Sequence, residues 1–162
     1  VSQAALRHSM MKHGGAIISL VADMWNGFPG MAHTGAARAA VVNLTKTLSI
    51  EWAPLGVRVN AVAPGYILSS GLLTYPPSVQ KMAAEMMPRN PSSRIGTESE
   101  VSAAVCYLLS PAASFITGET LRVDGGGSLQ KASLVPHVTH DKNAPFDGFH
   151  LAPELPEIFK KS

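Results

Sequence analysis

Three side chains near the start of one Ala-rich stretch could take part in chemistry. The stretch is "GMAHTGAARAAVVNLTKTLSIEW", from Gly30 to Trp52, and the residues are His33, Thr34 and Arg38. On a helix, Thr34 and Arg38 share a face because positions four apart are neighbours. Arg38 keeps a permanent positive charge and a fork of N–H donors that suits sugar hydroxyls or anions. A phenol titrates near ~10, and the hydroxyl of Thr34 is a far weaker acid. Thr34 is therefore suited to orienting a carbonyl rather than protonating it. It has an equally simple structural reading as a helix N-cap, worth about 1 kcal/mol. An imidazole in general titrates near ~6.5 and suits proton transfer at neutral pH, which makes His33 a candidate donor. Helical geometry turns it roughly 140° from Arg38, so it reaches the same site only from a loop before the helix.

These residues need a scaffold. Residues 1–15, "VSQAALRHSMMKHGG", read as the end of a helix stopped by Gly14 and Gly15, with Leu6 and Met10 on one face and Ala4 and Met11 on another. The run "AIISLVA" is continuously apolar and predicts a strand over 16–21, covered on both faces. A helix follows from about 34 to 52, closed by Pro54 and Gly56. "VRVNAVA" predicts a strand over 58–63, ended by Pro64 and Gly65. Residues 66–91 are irregular, with a short helix near 79–86. A helix over 98–110 carries the apolar stripe Val101, Val105 and Leu108. "ETLRVDGGG" predicts a strand at 120–123, and Gly125, Gly126 and Gly127 read as a turn. Asn60 is expected to tie its strand to neighbouring loops. Beyond Ser128 the chain is polar and rich in Pro and His. Helix and strand alternate, which predicts β-α-β crossovers of right hand and a parallel sheet. A site in such a sheet gathers at the carboxyl ends of the strands.

Bulk composition excludes several function classes. The 162 residues are 46% hydrophobic and 15% charged, with a net charge of +2. That describes a globular domain, and no basic run provides a nucleic-acid or membrane footprint. No apolar run approaches the ~20 residues of a membrane span, and the chain does not open with a secretory signal. The single Cys106 has apolar neighbours in "SAAVCYLLS" and reads as a buried, reduced thiol. A reducing, cytoplasmic compartment is the expectation. The sequence His137-x-x-His140-Asp141 has ligand-type residues but no second pair, so no metal site is expected.

Two blocks, "HTGAARAAVVNLTKTLSIEWAPLGVRVNAVAPGYI" and "RIGTESEVSAAVCYLLSPAASFITGETLRVDGGGSL", resemble the short-chain dehydrogenase/reductase family. The opening of the first is most similar to the branch containing peroxisomal trans-2-enoyl-CoA reductase. The resemblance implies a Rossmann-like, doubly wound parallel sheet of which this chain holds strands 5, 6 and 7. Residues 1–127 would be the C-terminal part of that domain and residues 128–162 an extension. It implies NADP or NAD as cofactor. No G-x-G-x-x-G opens a helix in these residues, so the family's diphosphate cradle is expected upstream of Val1, and the chain alone is expected to be an inactive fragment. The family's Ser, Tyr and Lys fall near Ala22 and at Thr34 and Arg38, and all three differ. Lys normally lowers the phenol's pKa and holds the nicotinamide ribose, a holding role that Arg38 can keep. Pro64, Gly65, Tyr66 and Ile67 match the nicotinamide-side loop, where the Ile67 backbone pairs the carboxamide and Ser69 stands near the usual Thr. Tyr66 and Tyr75 are further possible donors.

The implied function is an oxidoreductase acting on a small molecule. Reduction of a 2-enoyl-CoA thioester, in fatty-acid metabolism, suits the altered residues best, because its α proton can come from another group or water. Dehydrogenation of an alcohol or terpenoid is the alternative, and a catalytically silent subunit is a third reading. The run Ala36, Ala37, Ala39 and Ala40 has two readings. Small residues let the helix approach the sheet closely, and in the family the same helix packs against a symmetry mate. The resemblance therefore implies a homo-oligomer, dimer or tetramer, with no nucleic-acid or membrane partner.

Overall fold

The computed structural model describes residues 1–86, 90–129, 138–146 and 148. The chain divides into two compact units, Val1–Pro64 with Ala103–Arg122 and Gly65–Ser102 with Val123–Ser162. Among the described residues the strands are β1 (Gly15–Leu20), β2 (Val57–Pro64), β3 (Ile67–Leu68), β4 (Gly96–Thr97) and β5 (Thr120–Val123).

Strands β1, β2 and β5 form one sheet in that order. The pairing of β1 with β2 is parallel, from Gly15 opposite Val57 to Leu20 opposite Val62. On the other side of β2, Ala61 N donates to Glu119 O, and four residues further along both strands Gly65 N donates to Val123 O. Both chains advance together, so this pair is parallel as well. The expected central position of residues 58–63 holds.

Burial explains why β2 is central. Val57, Val59, Ala61, Val62 and Ala63 are all nearly inaccessible, as a strand covered on both faces must be. Val57 and Val59 pack with Leu6, Met10, Leu48 and Trp52. Ala61 and Ala63 pack with Val21, Val41 and Val42. The long helix Ala32–Glu51 therefore supplies Val41, Val42 and Leu48 to one sheet face. Asn60 is fully buried, donating to Ile116 O at 2.9 Å and accepting from Glu119 N at 3.0 Å. It ties β2 to the approach to β5, as expected.

Several expectations need correction. Strand β1 is only partly covered, and Leu20 at its end is 63% exposed. Its second edge has no strand partner among the described residues, so continuous apolarity misread its burial. The first helix is α-helical over Ser2–Ala5 and Met11–His13 but π-helical over Leu6–Met10. The wider turn does not separate Leu6 from Met10, which both pack against Val57 and Val59, so the face they were expected to share holds. Cys106 is exposed. The helix Glu98–Leu109 buries Leu108 and half-buries Val101 and Val105, and Cys106 is about 100° round from that stripe.

Two arginines do structural work. In the first unit, Arg58 donates to Leu108 O at 2.7 Å and to Ser110 O at 3.2 Å, satisfying carbonyls that a helix end leaves open. In the second unit, Arg94 forms a two-pronged ion pair with Glu100, at 2.9 and 2.5 Å. Glu100 also accepts from the Thr97 and Phe146 N–H groups. Burial pushes its carboxyl up, but these hydrogen bonds and the charge of Arg94 outweigh that and bring it from 4.5 to about 2. Among the described residues no helix is long and apolar enough to cross a membrane.

Candidate active site

The long helix begins at Ala32 with Met31 at its N-cap and no side-chain cap bond. Thr34 is inside the first turn, its N–H bonded to Met31 O at 3.0 Å. The N-cap reading of Thr34 is therefore corrected, because the helix starts two residues earlier than its Ala-rich pattern. The preceding loop folds back over this turn. A Cβ on Gly35 would stand 2.9 Å from Phe28 Cβ, so the missing side chain lets Phe28 approach.

Thr34 and Arg38 are both half-buried, and Arg38 Nη1 reaches Thr34 O at 3.5 Å. Arg38 Nε is buried and has no hydrogen-bond partner among the described residues. A buried donor left unpaired costs about 1–3 kcal/mol, and a ligand hydroxyl or anion would satisfy it. His33 lies in the helix rather than in a loop before it, and it is exposed. The condition under which it would face Arg38 is not met. Ala36, Ala37, Ala39 and Ala40 are exposed.

Asp23, just beyond β1, also has a buried carboxylate oxygen, Oδ1, without a partner among the described residues. Sequence reasoning passed over it. The signal was an acidic residue directly ending the apolar run "AIISLVAD", at the carboxyl end of a parallel strand.

The second unit carries the loop after β2, which begins beyond Pro64. A Cβ on Gly65 would meet Asp124 Cα at 2.8 Å, and Gly65 N donates to Val123 O at 3.0 Å. Close packing alone explains the glycine. Strand β3 pairs parallel with β4, Ile67 opposite Gly96, and Gly96 N donates to Tyr66 O. In such a ladder Ile67 turns its own N–H and C=O away from β4. Ser69 is half-buried at the N-cap of the helix Ser70–Leu73. Tyr66 and Tyr75 are 50% and 52% exposed. The three glycines after β5 make a capped turn, in which the Asp124 carboxylate accepts from Gly126 N and Ser128 N. His137 lies outside the described residues, while the His140 ring bonds Pro91 O at 2.9 Å.

The family profile described as "Enoyl-(Acyl carrier protein) reductase" matches residues 1–128. The chain belongs to the short-chain dehydrogenase/reductase family. Within that family it is 40% identical over 128 residues to the probable 2,4-dienoyl-CoA reductase of Bacillus subtilis, covering 77% of this chain and 50% of that protein. It is 41% identical over 129 residues to the 3-oxoacyl-acyl-carrier-protein reductase of Vibrio cholerae, covering 78% and 51%. Among solved structures, the citronellol catabolism dehydrogenase of Pseudomonas aeruginosa is 48% identical with a TM-score of 0.67, over 79% of this chain and 48% of that one. The gluconate 5-dehydrogenase of Burkholderia cenocepacia, solved with NADP and tartrate, is 31% identical with a TM-score of 0.70, over 81% and 51%. The chain thus spans about half the length of the short-chain dehydrogenase/reductase relatives it matches, and it has the family's Rossmann-like parallel sheet with flanking helices.

Proposed function

We propose that the whole protein is an NADP(H)-dependent reductase of 2-enoyl-CoA thioesters, with Arg38 holding the nicotinamide ribose. The observation that carries this reading is the unpartnered, buried Nε of Arg38 on the helix face shared with Thr34. The fit to a nicotinamide coenzyme is a donor where a ribose hydroxyl needs one. The Ile67 N–H and C=O, turned away from β4, suit a carboxamide, with Pro64 and Gly65 shaping the loop and Ser69 beside it. Bound coenzyme would supply the hydride for the β carbon. Thr34 would orient the thioester carbonyl through its hydroxyl. Neither Thr34 nor Arg38 gives up a proton near neutral pH, so the α proton would come from water or from another group. His33 would serve only through a shift of the helix start. Relatives named as dienoyl-CoA reductases support the acyl-thioester class. A cytoplasmic homo-oligomer, with residues 128–162 as an extension of the Rossmann domain, belongs to the same proposal.

A second reading, oxidation of an alcohol or terpenoid with NAD or NADP, is favoured by the 48% identity to the citronellol catabolism dehydrogenase. Coenzyme titration of variants tests the role of Arg38. Arg38→Ala should raise the Kd for NADPH about tenfold, roughly 1.4 kcal/mol, while Thr34→Ala should leave it unchanged and cost turnover little. Unchanged affinity in Arg38→Ala, or abolished turnover in Thr34→Ala with affinity intact, would reverse the assigned roles.

A further inference from the structure

Further along the long helix, on the stripe that continues from Thr34 and Arg38 through Val42 and Lys46, the first unit holds a groove of about 480 Å³. Its walls include Trp25, Val42, Lys46, Thr120, Leu121 and Arg122. The Arg122 guanidinium lies over the Trp25 ring, 4.0 Å from its centroid. Thr120 Oγ1 is buried and has no hydrogen-bond partner among the described residues. The groove is also lined by one carboxylate, Glu119, against the two cations Lys46 and Arg122.

Each feature selects for the same kind of ligand. An indole stacked with a guanidinium extends a flat, polarizable platform on which a heteroaromatic base stacks. An ammonium and a guanidinium together bind phosphate. A buried hydroxyl without a partner is costly until a ligand supplies one, and sugar or phosphate oxygens do so. Glu119 accepts from the exocyclic amine or sugar hydroxyls of a nucleoside and disfavours a bare anion. The volume lies within the roughly 300–1,000 Å³ of small-molecule sites.

We infer that this groove binds the phosphorylated adenosine end of a coenzyme A thioester, a proposal that rests on the enoyl-thioester reading above. Both the thioester and the hydride-transfer coenzyme carry a phosphorylated adenosine. The enoyl-thioester reading assigns the groove to the thioester, and saturating NADPH in the test below separates the two sources.

The test is calorimetric titration of the whole protein with adenosine 3′,5′-bisphosphate, carried out with NADPH saturating so that the coenzyme site is filled. The expected result is saturable one-to-one binding, weakened roughly tenfold by Arg122→Ala and by Lys46→Ala without change in circular dichroism or in NADPH affinity. Adenosine 2′,5′-bisphosphate and inorganic phosphate should each bind at least about tenfold more weakly. No saturable heat, equal binding by inorganic phosphate, tighter binding of the 2′,5′ isomer, or indifference to both substitutions would each overturn the proposal. As a second readout, both variants should raise KM for a 2-enoyl-CoA and leave KM for an N-acetylcysteamine thioester, which lacks the nucleotide, unchanged. Binding that passes these tests in a protein inert toward enoyl-CoA would sink the functional reading and leave the groove standing. Turnover without the binding would sink the groove alone.

Discussion

Arg38 and Glu100 show two different fates of a charged side chain in this fold. Arg38 keeps a buried donor without a partner among the described residues, whereas the Glu100 carboxylate accepts from Arg94 and from the Thr97 and Phe146 N–H groups. For Glu100 the consequence is a stability that depends on pH. Its folded pKa, about 2, lies below the ordinary 4.5. The stabilisation is therefore complete above 4.5 and is lost as pH falls from 4.5 towards 2. The two side chains are 16% and 19% exposed, and the loss should be on the order of 2–3 kcal/mol. Urea unfolding across that range should show the drop, and Glu100→Gln should flatten it. An equal drop in the Gln variant would assign it to other carboxylates. At this scale the sequence was only partly legible. The shared face of Thr34 and Arg38 followed from their spacing. The exposure of Cys106 did not follow from its apolar neighbours, because only its angle from the Val101, Val105 and Leu108 stripe decides it.

At the scale of elements, a close backbone approach and a helix end carry the predictions. Gly65→Ala would push a Cβ to 2.8 Å from Asp124 Cα and Cβ, and backbone cannot move aside as a side-chain tip can. It should cost about 1–3 kcal/mol in chemical denaturation, and a neutral result would show that the loop relaxes freely. Arg58→Ala removes the donors to Leu108 O and Ser110 O and should cost a similar amount, about 1–3 kcal/mol. Hydrogen exchange should then rise first in the last turn of the helix Glu98–Leu109. Unchanged exchange there would mean that water replaces the guanidinium without loss. Strand positions and order were legible, since β-branched runs alternate with helical periods. The π-turn at Leu6–Met10, the partial exposure of β1 and the cap by Arg58 were not. Each depends on partners distant in sequence, which local periodicity does not encode.

At the scale of the whole molecule, family and sheet were legible because two long blocks keep the family's spacing, and the profile match over residues 1–128 agrees with them. Substrate was not, because the relatives include reductases of acyl thioesters and dehydrogenases of alcohols. The chain spans about half the length of those relatives, and its 162 residues contain no G-x-G-x-x-G motif. The 162-residue chain by itself should therefore bind NADPH weakly and turn over no substrate, and β1 should leave it prone to association through its open edge. Micromolar NADPH binding by that chain would show that the missing motif is dispensable. The most direct measurement compares two reactions of the whole protein at neutral pH. One is NADPH oxidation with a trans-2-enoyl-CoA, and the other is NAD(P) reduction with citronellol or a simple secondary alcohol. The proposed placement of Thr34 and Arg38 where the family carries Tyr and Lys predicts consumption of NADPH with the enoyl thioester and little or no alcohol oxidation. Alcohol oxidation without enoyl-thioester reduction would contradict them.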